Sequence, residues 1–289
     1  MNARSLDGEV KVSAVLPTFN RSAALRENLS SFLEIEHLGE LIVVDDCSSD
    51  DTEAYLAGVD NPLLRIVKHS TNCGSPTARA TGVSVARFPW ILMLEDDVRV
   101  PLDYAKVLLE VAERMDASVA GAPWVHSSAE RLDADVQRLQ SLAVDRIGLD
   151  THPSTFPMTD TDTPFLPAIV LVNRSFFEGV NYDPGYRGNA WREETSLYIS
   201  AIELGYRCVL TPHTFSYQIQ QWGGGQRRSR LAYEGWVFRN NWRFLRRHET
   251  FLREEGYIAS VPLGQADFVM ARLAGLVRGK LSSLKRRST

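Results

Sequence analysis

An apolar run, Trp90-Ile91-Leu92-Met93-Leu94, leads directly into three consecutive carboxylates, Glu95-Asp96-Asp97. Like charges crowded at the end of a buried strand repel one another, and the usual remedies are a bound cation or a ligand rich in hydrogen-bond donors. The chemistry this suggests is metal-assisted; the alternative is a solvated turn after a strand. Two other apolar runs also end in polar groups. Val12-Ser13-Ala14-Val15-Leu16 runs into Pro17-Thr18-Phe19-Asn20, and Leu41-Ile42-Val43-Val44 runs into Asp45-Asp46-Cys47-Ser48-Ser49-Asp50-Asp51-Thr52. A carboxylate there can accept from the imino N–H of a pyrimidine while Pro17 and Thr18 offer backbone groups to the same ring. Capping of the following helix is the competing role for Asp45 and Asp46.

The elements that must position these groups follow from periodicity. Strands are expected at 10–16, 41–44, 64–68 and 90–94, separated by helical patterns, a rhythm that signals a mostly parallel sheet covered by helices. Ser75-Pro76 reads as an N-cap followed by proline at the first helical position, and 48–51 as another capping segment. Ligands in such sheets gather at the carboxyl ends of the strands, where every polar cluster above falls. Further on, a helix is expected at 102–115, a strand at 118–122, a long loop at 150–164, a strand at 165–173, a helix at 193–204 and a strand at 207–210. Gly223-Gly224-Gly225 marks a flexible junction.

The 289 residues can bury a substantial core, and 44% hydrophobic with 24% charged content is ordinary for a globular protein. The net charge of -4 conceals an asymmetry. Residues 226–289 carry 14 Lys/Arg against 5 Asp/Glu, net +9, which leaves -13 on the remainder. No apolar stretch approaches the roughly 20 residues of a spanning helix, and the N-terminus lacks a signal-peptide layout, so a cytoplasmic protein is expected. Three cysteines, Cys47, Cys73 and Cys208, lack paired spacing, which argues against disulfides or structural zinc.

Four segments together, Pro17-Thr18-Phe19-Asn20, Val43-Val44-Asp45-Asp46 through Thr52, Asn72-Cys73-Gly74 with Ala78-Arg79, and Leu94-Glu95-Asp96-Asp97, resemble family 2 glycosyltransferases in order and spacing. The resemblance spans about residues 10–247. It implies the GT-A fold, a nucleoside-diphosphate-sugar donor and inversion at the anomeric carbon. Carried onto this chain, it implies that Asp46 reads the nucleobase with Pro17 and Thr18 lining the same pocket, and that Asn20 and Asn72 belong to the nucleotide-binding set. Arg79 then approaches the nucleotide phosphates, where a planar guanidinium suits paired hydrogen bonds. Asp96 faces the ribose, Glu95 supports it, and Asp97 holds Mg²⁺ or Mn²⁺ on the diphosphate.

Direct displacement also needs a base for the acceptor hydroxyl. Trp191-Arg192-Glu193-Glu194, followed by Leu204-Gly205-Tyr206 and Pro212, resembles the family's acidic pair, which makes Glu194 the base and Glu193 its neighbour. Stabilisation of the helix dipole is the competing role for both. The family often carries a histidine where this chain has Gln218, and an asparagine where it has Ala80; with Gln218, the ion would rely on Asp97, the diphosphate and water. Residues 220–228, rich in glycine with Trp222 and two arginines, read either as a closing loop or as a linker.

The expected organisation is a catalytic domain over 1–225, with a nucleotide half at 10–100 and an acceptor half at 101–225, followed by a basic helical extension over 226–289. The segment 266–284 reads as a basic amphipathic helix that either lies on an anionic membrane face or packs on the body or a second subunit. Nucleic acid is disfavoured by the acidic body. UDP or dTDP sugars are the favoured donors. The rival readings are a sugar-nucleotide nucleotidyltransferase, whose glycine-rich basic loop is missing after Leu16, a receiver-like module, and a non-catalytic carbohydrate binder.

Overall fold

The computed structural model describes residues 10–219 and 230–285. The apolar runs of the first hundred residues form β1 (Val12–Thr18), β2 (Leu38–Asp45), β3 (Leu64–Lys68) and β4 (Trp90–Met93). β1 and β2 are buried almost throughout, as expected of strands covered on both faces. The rest of the sheet comprises β5 (Val119–Gly121), β7 (Thr161–Asp162), β8 (Val170–Asn173) and β9 (Cys208–Leu210). Between β5 and β7 lies β6 (Trp124–His126), which pairs in parallel with β10 (Ser216–Gln218) as a separate two-stranded sheet.

The main sheet has the order β3-β2-β1-β4-β8-β5-β9-β7. β1 to β4 are mutually parallel, while β8 runs antiparallel between β4 and β5. The chain winds outward from β1 through β2 to β3 and then returns to lay β4 on the other side of β1. That reversal opens a crevice at the carboxyl ends of β1 and β4.

Helices Ser22–Leu33 and Tyr104–Met115 cover one face of the sheet, with Leu25, Leu29, Phe32, Tyr104 and Leu108 in its core. Helices Ser75–Val85 and Glu193–Glu203 cover the other, through Ala78, Val83, Leu197, Tyr198 and Ala201. The C-terminal extension is helical, with helices Arg230–Arg247, Glu249–Glu254 and Val261–Lys285. Its Phe244, Leu245 and Leu252 share a core with Tyr186 and Ile199, which precede it in the chain.

Several expectations need adjustment. The strand expected over 165–173 is confined to Val170–Asn173, because Pro164 and Pro167 cannot donate to a ladder. Gly74, at φ 87, is the N-cap of helix Ser75–Val85, and Ser75 is already helical. The 150–164 loop is interrupted by the two residues of β7. Strands β6 and β10 and helix Leu132–Gln140 were not expected. The glycine-rich segment 220–228 lies outside the described residues, as do the side chains of 275–285.

Helix Ser75–Val85 approaches β1 closely at Gly82, where an added Cβ would stand 2.3 Å from Val15 Cγ1. Gly82→Ala is therefore expected to destabilise the fold by about 1–3 kcal/mol through overpacking, read from the midpoint of urea unfolding.

Candidate active site

The crevice is a cleft of about 710 Å³. One wall comes from the strand tips, through Pro17, Thr18, Asp46 and Glu95-Asp96-Asp97; the other comes from Arg187-Gly188-Asn189-Ala190, Glu193 and Glu194. Tyr233, from the C-terminal extension, also lines it.

At the tip of β4 the acids are bound inward. Asp96 accepts from Thr18 Oγ1 at 2.8 Å and from Arg21 Nε at 3.1 Å, and Arg21 also pairs with Asp97. The main-chain oxygen of Asp96 accepts from Asn28 Nδ2 at 2.9 Å, and Asn28 in turn accepts from Arg99 Nε at 2.7 Å. The first helix thus clamps the acidic tip. Burial disfavours the Arg21 charge, but Asp96 and Asp97 outweigh it and raise its pKa.

Arg79, buried in helix Ser75–Val85, donates to Glu95 Oε1 at 2.9 Å and lies 3.6 Å from Glu194 Oε1. Burial would lower its pKa, yet Glu194, Tyr182 and Glu95 raise it and keep the guanidinium charged. Arg79 lines the cleft and bridges the strand-tip acids and the acidic pair. Glu193 is buried with Oε1 lacking a hydrogen-bond partner among the described residues, and burial followed by the Glu194 charge raises its pKa well above its ordinary value. Burial pushes Glu95 up to about 7 and Asp96 up to about 6, with neighbouring acids adding to it and Arg79 and Arg21 opposing it.

Five carboxylates, Glu95, Asp96, Asp97, Glu193 and Glu194, thus surround two guanidiniums, those of Arg21 and Arg79. This surplus of hard oxygen donors on the cleft wall fits a divalent cation.

Asp46 is buried after β2, where its Oδ2 accepts from Gly74 N at 2.7 Å and its Oδ1 from Cys73 N at 2.8 Å. Asn72 Nδ2 donates to its main-chain oxygen at 3.2 Å. Asn20, at φ 52, is not among the cleft-lining residues. Its carboxamide oxygen instead accepts from Ser49 N at 2.7 Å and Asp50 N at 3.3 Å, which holds the loop after β2.

Glu193 and Glu194 are delivered by a loop with three left-handed residues, Gly188 at φ 71, Ala190 at φ 49 and Arg192 at φ 69. Non-glycine residues there store strain that surrounding contacts must hold. Asn240 Nδ2 donates to Arg187 O at 2.9 Å, Arg192 Nη2 donates to Leu149 O at 3.1 Å, and Trp236 packs on Gly188. Burial lowers the Arg192 pKa to about 10.

Gln218 is buried on β10 and pairs with His126 on β6. Burial and the charge of His152 lower the His126 pKa while Asp97 raises it, so this imidazole lies within electrostatic range of the acidic tip. The sequence reading missed Arg21, Asn28, Tyr182 and His126. Arg21 had a signal, a cation directly after Pro17-Thr18-Phe19-Asn20; His126 had none, because its strand was not expected.

The family described as Glycosyl transferase family 2 matches residues 13–177. The chain is a family 2 glycosyltransferase. Among relatives of this glycosyltransferase, the succinoglycan biosynthesis protein ExoO of Rhizobium meliloti (strain 1021) is 27% identical over 258 residues, covering 86% of this chain and 72% of that one. An undecaprenyl-phosphate 4-deoxy-4-formamido-L-arabinose transferase of Sodalis glossinidius (strain morsitans) is 29% identical over 153 residues, 48% of this chain and 47% of that one. Among solved structures, S. aureus TarS 1-349 in complex with UDP-GlcNAc superposes with a TM-score of 0.59 at 16% identity, over 81% of this chain and 65% of that one. That likeness establishes the GT-A fold. No helix among the described residues is long and apolar enough to cross a membrane.

Two outcomes follow from this geometry. The Glu95 carboxyl sits above its ordinary value of 4.5 and that of Asp96 above 3.8, so the stability each contributes is present below those values. It is lost as pH rises towards about 7 and about 6 respectively. In metal-free buffer the Tm of Glu95→Gln is therefore expected to gain on wild type between pH 4.5 and pH 7, and added Mg²⁺ to shrink that gain. Gly188→Ala puts a Cβ 2.3 Å from Trp236 Cγ at a left-handed φ. It is expected to lower kcat by about tenfold or more through displacement of the acidic pair, as measured by steady-state transfer.

Proposed function

We propose that this glycosyltransferase moves a sugar from a nucleoside diphosphate, UDP or dTDP, onto an acceptor hydroxyl by direct displacement with inversion. The observation that carries the reading is the convergence of Asp46, the acids of β4 and Glu194 on one cleft with a surplus of negative charge. Asp46, Pro17, Thr18 and Asn72 hold the nucleobase end. Asp96 and Glu95 lie towards the ribose and Asp97 towards the diphosphate. Bound there, Mg²⁺ or Mn²⁺ supplies Lewis acidity to the departing diphosphate. With Gln218 in place of a histidine, Asp97 would be the residue that holds the ion.

Glu194 takes the proton of the acceptor hydroxyl as the new C–O bond forms on the face opposite the leaving diphosphate. Arg79 orients that carboxylate from 3.6 Å, and Glu193 supports the same corner from inside the helix. TarS, which binds UDP-GlcNAc, supports a uridine donor. The exposed Leu263, Met270 and Leu273 on a C-terminal segment of net charge +9 support peripheral contact with an anionic membrane face.

Glu194→Gln is expected to reduce kcat by about 10²–10⁴ with donor Kd unchanged, measured by transfer from UDP- and dTDP-sugars together with equilibrium binding. Normal turnover by the variant would remove Glu194 as the base.

A further inference from the structure

On the nucleobase side of the cleft, apart from the acids of β4, three chemically different ligand groups meet. Ligand atoms of Asp46, His69 and Cys73 all lie within 4.8 Å of one another. Asp46 follows β2, His69 follows β3, and Cys73 precedes helix Ser75–Val85, so three elements fix the cluster. His69 Nδ1 stands 2.8 Å from Asp46 Oδ1, and its Nε2 stands 3.0 Å from Thr81 Oγ1. The backbone N–H of Cys73 donates to the same Asp46 oxygen at 2.8 Å, which anchors the chain that carries the thiol. Asp46 is buried, whereas Cys73 is exposed and its Sγ rests 3.3 Å from Thr71 O.

We propose that Asp46, His69 and Cys73 form a binding site for one Zn²⁺ ion, distinct from the Mg²⁺ or Mn²⁺ position at Asp97. Thiolate and imidazole favour zinc, whereas the all-oxygen set at the tip of β4 favours harder ions. Tetrahedral Zn²⁺, with bonds of about 2.0–2.3 Å, brings its ligand atoms to about 3.3–3.6 Å from one another. To reach that spacing the 2.8 Å contact between His69 Nδ1 and Asp46 Oδ1 opens and the exposed Cys73 side chain turns towards the pair. On binding, the thiol gives up its proton and His69 coordinates through Nδ1, while Nε2–H donates to Thr81 Oγ1 and fixes the ring. Water fills the fourth position. Because Asp46 also lines the nucleotide cleft, Zn²⁺ and nucleotide antagonise each other; this consequence rests on the donor reading above, and the site itself does not.

The test titrates metal-free full-length protein with Co²⁺ as a spectroscopic substitute, then with Zn²⁺ against a chromophoric chelator. Wild type is expected to show a thiolate-to-cobalt charge-transfer band in the near ultraviolet that Zn²⁺ displaces. Cys73→Ser, a surface change, is expected to abolish the band, and Cys47→Ser and Cys208→Ser to retain it. Zn²⁺ affinity is expected to fall at least about tenfold in Cys73→Ser and in His69→Gln. Absence of the band in wild type, or its survival in Cys73→Ser, would overturn the site. Saturation with UDP is expected to weaken Zn²⁺ binding. UDP that binds wild type yet leaves its Zn²⁺ affinity unchanged would overturn the antagonism alone.

Discussion

The balance of charge around Arg21 and Arg79 is the constraint on which the rest of this protein depends. Carboxylates withdrawn from water repel one another and are tolerated only when cations or donors face them. Here Arg21 holds Asp96 and Asp97, while Arg79 ties Glu95 to Glu194 across the cleft. Two guanidiniums cannot neutralise five acids, and burial first, then the neighbouring acids, raise the pKa values of Glu95, Asp96 and Glu193. A divalent cation between the walls is the kind of ligand that this imbalance favours.

The fold is organised to hold that imbalance in place. β4 must be buried to aim its tip, so its residues are apolar until the chain leaves the sheet at Leu94. Helix Ser22–Leu33 supplies Asn28 behind Asp96, and Arg21 stands directly before that helix. On the opposite wall, Ala190 and Arg192 hold left-handed backbone in a loop that the C-terminal extension braces through Trp236 on Gly188 and Asn240 on Arg187 O, and that Arg192 ties to Leu149 O. The extension therefore shapes the cleft as well as following it.

The parallel half of the sheet was legible because a strand buried on both faces is written as a continuous apolar run, and those runs end at the polar groups that matter. Family membership was likewise legible from four short segments in order. Burial and partner choice were not. Arg79 reads in sequence as a nucleotide contact, but its acidic neighbours Glu95 and Glu194 are visible only once helix Ser75–Val85 packs beside the β4 tip. Asn20 reads as a nucleotide contact, whereas in the structure its carboxamide oxygen accepts from Ser49 N and Asp50 N. The β6–β10 pair was hidden because three-residue strands carry too few alternations to register, and His126 was hidden with it.

Binding of UDP measured by calorimetry, with and without Mn²⁺, tests the central claim most directly in wild type and Asp97→Asn. The account predicts that Mn²⁺ tightens UDP binding to wild type by about tenfold or more, and that Asp97→Asn loses this increment while keeping the metal-free affinity. UDP affinity that is indifferent to the metal in wild type, or a full metal increment in Asp97→Asn, would contradict it.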